Sequence, residues 1–252
     1  MDQEKRKRES LEEKVRKYID GTKQEYLGLL KKLDPLVEEY KKLNFMEKLH
    51  YLTDKNYEKR LAAITSLRTG IKTFGQLNLI MRLYGYEEEL LVKMGYRSTI
   101  DYATSTINLN KEQKKIMKEF YKSELFSSEP CIKEITLSAL PILPFNWDEK
   151  DEVHKYLEDF LYESNSEWRR LAAIAISRMN KNAFKILYRA FLESNLKDWE
   201  NFVEPIVYSV KSEKEKEILE KMLDYMELVK DQKEEIENIK RSIKLTLKLY
   251  GW

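Results

Sequence analysis

The chain has 252 residues, of which 42% are hydrophobic and 36% charged, with only 7 glycines and 5 prolines. So few turn-forming residues exclude a β-sandwich or β-barrel, which needs a turn about every 8–12 residues. Lys and Arg number 46 against 44 Asp and Glu, so the net charge of +2 gives no general attraction for nucleic acid. No apolar run of about 18 residues predicts a membrane span. The N-terminal residues lack the apolar stretch of a secretory signal, and the single cysteine, Cys131, indicates a reducing, cytoplasmic location.

Helix signals recur along the whole chain and predict an all-α protein. Short polar residues with Glu or Gln three positions later mark helix starts, as at Ser10, Asn110 and Ser212. Glycines such as Gly21 and Gly95 lie between the periodic segments and predict helix ends. The apolar spacing predicts helices, in chain order, near 9–20, 22–43, 45–53, 56–68, 73–84, 86–94, 98–107, 111–126, 129–141, 147–163, 166–179, 181–194, 198–210, 212–229 and 232–250.

One sequence pattern occurs twice. Tyr57–Ile64 and Glu167–Ile174 both end in Arg-Leu-Ala-Ala-Ile and lie 110 residues apart, close to three periods of about 37 residues. A weaker copy lies at Ile132–Leu140. Paired alanines let a neighbouring helix approach closely, and a hairpin that cannot bury its apolar face alone stacks on the next hairpin.

This pattern of a polar turn, Arg and then Leu-Ala-Ala-Ile resembles a HEAT-type helical repeat. The resemblance covers residues 50–230 in degenerate copies and implies an α–α superhelix of HEAT-like helical hairpins with helical caps at both ends. We therefore predict an N-terminal helical cap at 1–44, HEAT-like repeats at 45–211 and a C-terminal helical hairpin or long helix at 212–252, within one continuous domain. The resemblance implies no particular function, because this fold hosts many.

Within this class, residues 129–210 are similar in layout to the HEAT-like DNA-alkylation-repair glycosylases. The similarity lies in Ser164–Ile174 and in the later segment Glu200–Val203. In that family a Trp and an Asp four positions apart, and an Arg, form the active site. The matching positions here are Ile132, Thr136 and Leu171. The resemblance therefore implies the fold without the base-excision chemistry.

No group of residues in the sequence is typical of a catalytic, cofactor or metal site. His50, His154 and Cys131 lie far apart, and the chain has neither a zinc motif nor a phosphate-binding glycine loop. We expect no catalytic residues, no cofactor and no metal, and we expect Cys131 to be a buried thiol. The leading hypothesis is a non-catalytic binding or scaffold protein that uses the concave face of the solenoid and whose partner is a protein.

Two sets of residues are candidate binding sites. Residues 166–190 contain six bases and one acid, which makes a basic stripe. With the resemblance above, it leads to the alternative hypothesis of a nucleic-acid-binding protein related to the HEAT-like DNA-alkylation-repair glycosylases. The six are Arg169, Arg170, Arg178, Lys181, Lys185 and Arg189. The competing interpretation is that this block lies against the acidic block 147–163. Phe145 and Trp147 lie in an apolar loop, where they either contact a protein partner or fasten the next helix to its neighbour.

The C-terminal residues have a pattern of their own. From Ile218 to Tyr250, mostly apolar residues follow a 4-3 spacing, which is typical of a coiled coil and predicts a homo-oligomer formed through 212–250. Asp231 and Glu234 have capping-box spacing, which instead predicts a terminal hairpin packed on the last repeat. No membrane partner is expected.

Overall fold

The computed structural model describes the backbone of residues 2–147, 151–194, 199–228, 240, 241 and 244. Over these residues every regular element is a helix, which confirms the predicted all-α class. The helices are α1 (Asp2–Lys41), α2 (Phe45–Tyr51), α3 (Tyr57–Leu67), α4 (Phe74–Tyr86), α5 (Leu90–Thr106), α6 (Lys111–Leu125), α7 (Pro130–Ala139), α8 (Glu152–Phe160), α9 (Ser166–Met179), α10 (Ala183–Glu193), α11 (Glu200–Ser209) and α12 (Glu213–Leu228), with a 3₁₀ turn at Leu140–Ile142. Across the described ranges, no helix is both long and apolar enough to span a membrane.

The chain forms two compact units, Met1–Phe145 and Asn146–Trp252, which we call unit 1 and unit 2. Unit 1 contains α1–α7 and unit 2 contains α8–α12. The division between them lies inside the predicted repeat region 45–211. The predicted coiled coil or hairpin and the oligomer that it would form depend mostly on residues beyond 228, of which the structure describes only 240, 241 and 244.

Several helix starts form as the sequence predicts. The side chain of Asn110 accepts a hydrogen bond from Gln113 N, and the Gln113 side chain accepts one from Asn110 N. Ser212 and Glu215 form a similar reciprocal cap, in which Ser212 Oγ accepts from Glu215 N and Glu215 Oε2 accepts from Lys211 N. These caps depend only on neighbouring residues, and for that reason spacing alone predicts them.

The predicted helix ends at Gly21 and Gly95 are wrong. Segments 9–20 and 22–43 form the single helix α1, and segments 86–94 and 98–107 merge largely into α5. Along α1 the buried side chains are Ile19, Thr22, Leu33, Val37 and Tyr40. A large apolar side chain gains about 1.5–3 kcal/mol on burial, whereas a glycine inside a helix costs about 1 kcal/mol. Packing of this face therefore outweighs the local tendency of Gly21 to end the helix.

Helices pair into hairpins in both units. In unit 1, α2 packs on α3, α4 on α5 and α6 on α7, and the second helices also pack on one another, α3 on α5 and α5 on α7. In unit 2, α8 packs on α9, α10 on α11, and α9 on α11. The helices α3, α5, α7, α9 and α11 begin 33, 40, 36 and 34 residues apart. This spacing agrees with the period predicted from the two copies of the motif, which lie on α3 and α9.

Small residues allow the second helices to approach closely. Ala62 and Ala63 on α3 are completely buried, as are Ala172 and Ala173 at the equivalent positions of α9. On α5 the small residue is Gly95, where an added Cβ would lie 2.7 Å from Leu61 Cδ1 and 3.0 Å from Ile64 Cγ2. A larger residue at this position would force the Leu61 or Ile64 side chain of α3 to shift.

The long helix α1 lies across the second helices of unit 1 and contacts α3, α5 and α7. Near its C-terminal end, Lys32 Nζ lies 2.7 Å from Glu58 Oε1 of α3. Farther back, Lys23 forms an ion pair with Glu134 of α7, and the Tyr18 hydroxyl donates to Glu129 at the start of α7. The helix α1 therefore runs from α7 to α3 across the layer formed by α3, α5 and α7. The sequence predicts a binding surface on one face of such a layer.

Candidate functional site

A cavity of about 370 Å³ remains beside α1 on this layer of unit 1, and we call it the Asp101 cavity. Its volume is near the lower end of the range of about 300–1,000 Å³ typical of ligand pockets. Five lining residues share one face of α5, and the rest come from α1, the end of α3, α7 and the 3₁₀ turn. They are Met94, Ser98, Asp101, Tyr102 and Ser105, with Tyr26, Arg68, Ile135 and Ile142.

Asp101 is held in place from the protein interior. Its Oδ1 accepts a hydrogen bond from the Tyr121 hydroxyl at 2.7 Å and lies 3.2 Å from Arg97 Nη2. Its Oδ2 makes no hydrogen bond to any residue that the structure describes, and the Asp101 side chain, which lines the cavity, is 16% exposed. Burial raises the pKa of Asp101 above its ordinary value, and the charges of Arg97 and Arg68 and the Tyr121 hydrogen bond offset only part of that effect.

Arg97 is completely buried beneath the cavity wall. Its guanidinium carbon lies 5.0 Å from the centre of the Phe120 ring and 4.9 Å from that of Tyr121, within the range of cation–π contacts. Its Nη2 also lies 3.4 Å from Thr136 Oγ1. Nε and Nη1 donate no hydrogen bond to any described residue, so the two rings and Asp101 provide most of its stabilisation.

Arg68 brings a positive charge to the rim of the same cavity. It caps the C-terminus of α3, and its guanidinium carbon lies 5.3 Å from the centre of the Tyr102 ring. Arg68, Ser105 and Ile142 are exposed, whereas Met94 is buried, so the cavity has an open mouth and a closed floor. Tyr26 lines the cavity on the side of α1. Burial raises the pKa of the Tyr26 hydroxyl to about 12, so the hydroxyl stays protonated.

A second cavity in unit 1, of about 310 Å³, offers less to a ligand. Its main charged groups already satisfy each other, because Arg60 Nε and Nη2 each lie 2.9 Å from a carboxylate oxygen of Glu87. Arg60 Nη1 donates to the carbonyl of Asp54 at 2.9 Å, and Glu87 Oε1 accepts from the backbone of Glu89. This arrangement fastens the start of α5 to α3 and has the character of a structural pair.

The structure divides the predicted basic stripe of unit 2. Arg170 forms a two-bond ion pair with Glu167 on the same helix, and Arg169 Nη1 donates to the carbonyls of Glu163 and Ser164. Arg189 lies 3.3 Å from Glu158 of α8, which agrees with the competing interpretation that the basic and acidic blocks lie side by side. Half of the stripe therefore serves contacts within the unit.

The other three residues of the stripe, Arg178, Lys181 and Lys185, are exposed near the turn between α9 and α10. The side chain of Lys211, which precedes α12, reaches this turn, with its Nζ 3.5 Å from the Lys181 carbonyl. Arg178 and Lys185 form no ion pair with any residue that the structure describes. These exposed cations form a patch smaller than the predicted stripe.

Phe145 and Trp147 do not form an exposed contact surface. Phe145 is 9% exposed and Trp147 is 6% exposed, and the Phe145 ring meets the Tyr121 ring edge-on at 6.0 Å. Their burial corrects the expectation that the apolar loop is available to a partner, and it favours the other interpretation, in which the two rings fasten neighbouring elements. An apolar run between two helices in sequence says nothing about whether the loop folds inward.

Cys131 is a buried thiol, as predicted, and lies in the first turn of α7. Burial raises its pKa to about 11, because removal from water outweighs the helix start that would otherwise favour the thiolate.

The Asp101 cavity was not foreseen from the sequence. The available signal was the pair Arg97 and Asp101, charged residues one turn apart in a stretch whose other buried positions are uncharged. No protein-family model matches the chain, and neither a curated protein nor a solved structure is significantly similar to it.

Proposed function

We propose that this protein is a non-catalytic binding protein whose units stack HEAT-like hairpins in superhelical fashion, and that the Asp101 cavity is the binding site of unit 1. The observation that carries the proposal is Asp101 itself. One of its oxygens is fixed by Tyr121 and Arg97, while the other is left toward a small, open cavity. A carboxylate held in one orientation in a partly dry site is a pre-organised partner for a ligand's donor group.

The packing of α1 decides which part of the inner layer is available. Burial of Ile19, Leu33, Val37 and Tyr40 stabilises its docking by about 6–12 kcal/mol at about 1.5–3 kcal/mol for each side chain. That amount makes α1 an integral part of unit 1, so a partner does not lie along the whole layer. A protein partner, which the sequence favours, would find most of this layer covered by α1, whereas the Asp101 cavity stays open to a small ligand.

The lining also favours binding over catalysis. Among its nine residues there is one carboxylate and neither a histidine nor a cysteine. General acid–base chemistry needs a second group within hydrogen-bonding distance of the same substrate atom, and nucleophilic catalysis needs a base beside the nucleophile. Ser98 and Ser105 make no hydrogen bond to Asp101, the single carboxylate among the lining residues, and Ser105 Oγ donates to the Tyr102 carbonyl instead.

The proposal is tested by filling the cavity. Ser105 and Ser123 are both exposed serines near a helix C-terminus, and each hydroxyl donates to the carbonyl three residues earlier. Ser105→Trp places a large ring at the mouth of the cavity, whereas Ser123→Trp on α6 is the matched control. In a ligand-observed NMR screen of small amines, acids and amino acids, we expect Ser105→Trp to abolish binding that wild type and Ser123→Trp share. Ligands that bind Ser105→Trp as well as wild type would contradict the proposal.

Nucleic-acid binding is the second candidate function, favoured by the exposure of Arg178, Lys181 and Lys185 beside Lys211. A few phosphate contacts would give weak binding that falls steeply with salt. Fluorescence anisotropy with duplex and single-stranded DNA at low and physiological salt tests it. We expect Arg178→Glu with Lys185→Glu to remove the binding and Arg170→Gln to leave it nearly unchanged. If wild type binds neither DNA at low salt, this candidate fails.

A further inference from the structure

We propose that the Asp101 cavity takes a zwitterionic amino acid with an apolar side chain, whose ammonium group binds Asp101 and whose carboxylate binds Arg68. This inference rests on the proposed function and specifies its ligand class. Its basis is the presence of two opposite charges on one small cavity that form no ion pair with each other.

Asp101 and Arg68 carry opposite charges and line the same cavity. Asp101 uses Oδ1 for Tyr121 and Arg97, and Arg68 makes no ion pair with any residue that the structure describes. Both line a cavity of about 370 Å³, so they face the same space at a separation longer than a direct ion pair. A ligand with an ammonium and a carboxylate group on one carbon atom can bridge such a gap and pair both charges.

The opposite charges of Asp101 and Arg68 select against ligands that carry only one charge. A simple amine would be attracted by Asp101 but repelled by Arg68, and a simple carboxylic acid would meet the reverse combination. Specificity of this kind comes from the unfavourable contact as much as from the favourable one. Ser98, one turn before Asp101 on the same face of α5, adds a hydroxyl that hydrogen-bonds no described residue and is available to the ligand.

Three of the remaining lining residues are aliphatic side chains without a polar group. Met94 is buried and forms the floor of the cavity. Ile135 of α7 and Ile142 of the following 3₁₀ turn add aliphatic surface. An unbranched methionine adapts to ligands of different shape, which suits a site for several related side chains. Aliphatic surface and a volume at the lower end of the usual range favour an amino acid such as leucine or methionine over a sugar or a nucleotide.

The experiment uses the full chain and isothermal titration calorimetry. The probes are L-leucine, L-methionine and L-phenylalanine, together with the two analogues of leucine that lack one charge, 3-methylbutylamine and 4-methylpentanoate. We expect at least one amino acid to bind with a Kd below about 1 mM and both leucine analogues to bind at least about tenfold more weakly than leucine.

The decisive variant is Arg68→Gln, because Arg68 is exposed and its replacement leaves the buried Arg97–Asp101 pair in place. We expect it to weaken amino-acid binding at least about tenfold while 3-methylbutylamine binds no more weakly than before. Arg82→Gln, at an exposed position of α4, is the matched control and is expected to change neither affinity.

Two kinds of result would overturn the inference. The first kind is that 3-methylbutylamine binds wild type as tightly as leucine, or that Arg68→Gln leaves amino-acid binding unchanged. In that case the cavity is a cation site, and the proposed function stands if Ser105→Trp still abolishes the binding. The other is that none of the amino acids binds, and the cavity-filling screen then decides separately whether the proposed function fails as well.

Discussion

Arg97 and Asp101 lie one turn apart on α5, and Arg97 Nη2 is 3.2 Å from Asp101 Oδ1. Arg97 is wholly buried, whereas the Asp101 side chain is 16% exposed, so the pair joins the interior of unit 1 to the cavity. Because the guanidinium fixes the carboxylate, the stability of the core and the geometry of the site depend on the same contact.

Removal of Arg97 is predicted to destabilise unit 1 strongly. Arg97→Met leaves the partly buried Asp101 carboxylate without its cation, and breaking a buried pair in this way costs about 3–5 kcal/mol. Adding Asp101→Asn removes the stranded charge, so the double variant should recover part of the loss. Urea unfolding measures both, with the exposed Arg82→Met as a control expected to stay within about 0.5 kcal/mol of wild type. Equal losses in the single and double variants would contradict a stranded Asp101 charge as the cause of the destabilisation.

Gly95 is predicted to be required for the contact between α3 and α5. Gly95→Ala places a methyl group 2.7 Å from Leu61 Cδ1, and overpacking of this kind costs about 1–3 kcal/mol. Gly28→Ala in α1 meets nothing within 4 Å, so the gain in helix propensity should stabilise the protein by about 0.5–1 kcal/mol. Thermal unfolding of the two variants gives the comparison. A stabilising Gly95→Ala would mean that the two helices are farther apart than described.

The two copies of the repeated motif are predicted to differ in energy although they match in sequence. Arg60 pairs with Glu87, which is nearly buried, so Arg60→Gln leaves a carboxylate without its partner and should cost about 1.5–3 kcal/mol. Arg170, at the equivalent position of α9, pairs with Glu167 on a half-exposed surface, and such pairs contribute about 0–1 kcal/mol. Chemical denaturation of the two single variants tests the difference. A larger loss for Arg170→Gln would contradict it.

Cys131 is predicted to be unreactive in the folded protein. Its pKa of about 11 lies above the ordinary 9.0, so the thiol stays protonated and buried at pH 8, and iodoacetamide should modify it only after unfolding. A raised pKa in the folded state also means that its contribution to stability is complete below pH 9 and is lost between pH 9 and about 11.

The measurement for the pH dependence is the free energy of unfolding of wild type and Cys131→Ala across that window. Wild type should lose stability more steeply, since other groups titrate alike in both proteins. Parallel curves, or rapid alkylation of the native thiol, would contradict the burial of Cys131.

The helical class and the period of the hairpins could be predicted because both depend on local patterns. Each of these patterns lies within a few neighbouring residues, as do the Asn110 cap and the Ala-Ala pairs of α3 and α9. The same reasoning divides α5 into two helices, since Gly95 predicts a helix end and Arg97 on the inward face breaks the apolar pattern.

The cavity and the path of α1 could not be predicted in this way. They depend on contacts between distant residues, such as Lys23 with Glu134 and Lys32 with Glu58, for which the sequence carries no spacing rule. The partners of the basic residues in unit 2 could not be predicted for a related reason. Charge counting along the chain does not show that Arg170 and Arg189 have acidic partners in the fold.

The most direct test of the Asp101 cavity as a binding site is a titration with L-leucine followed through methyl NMR signals. We expect saturable chemical-shift changes of the methyl groups of Met94, Ile135 and Ile142, which line the cavity. The signals of Ile80 and Ile206, buried elsewhere in unit 1 and in unit 2, should stay in place. Saturable shifts at Ile80 or Ile206 with unchanged signals from the three lining residues would contradict it.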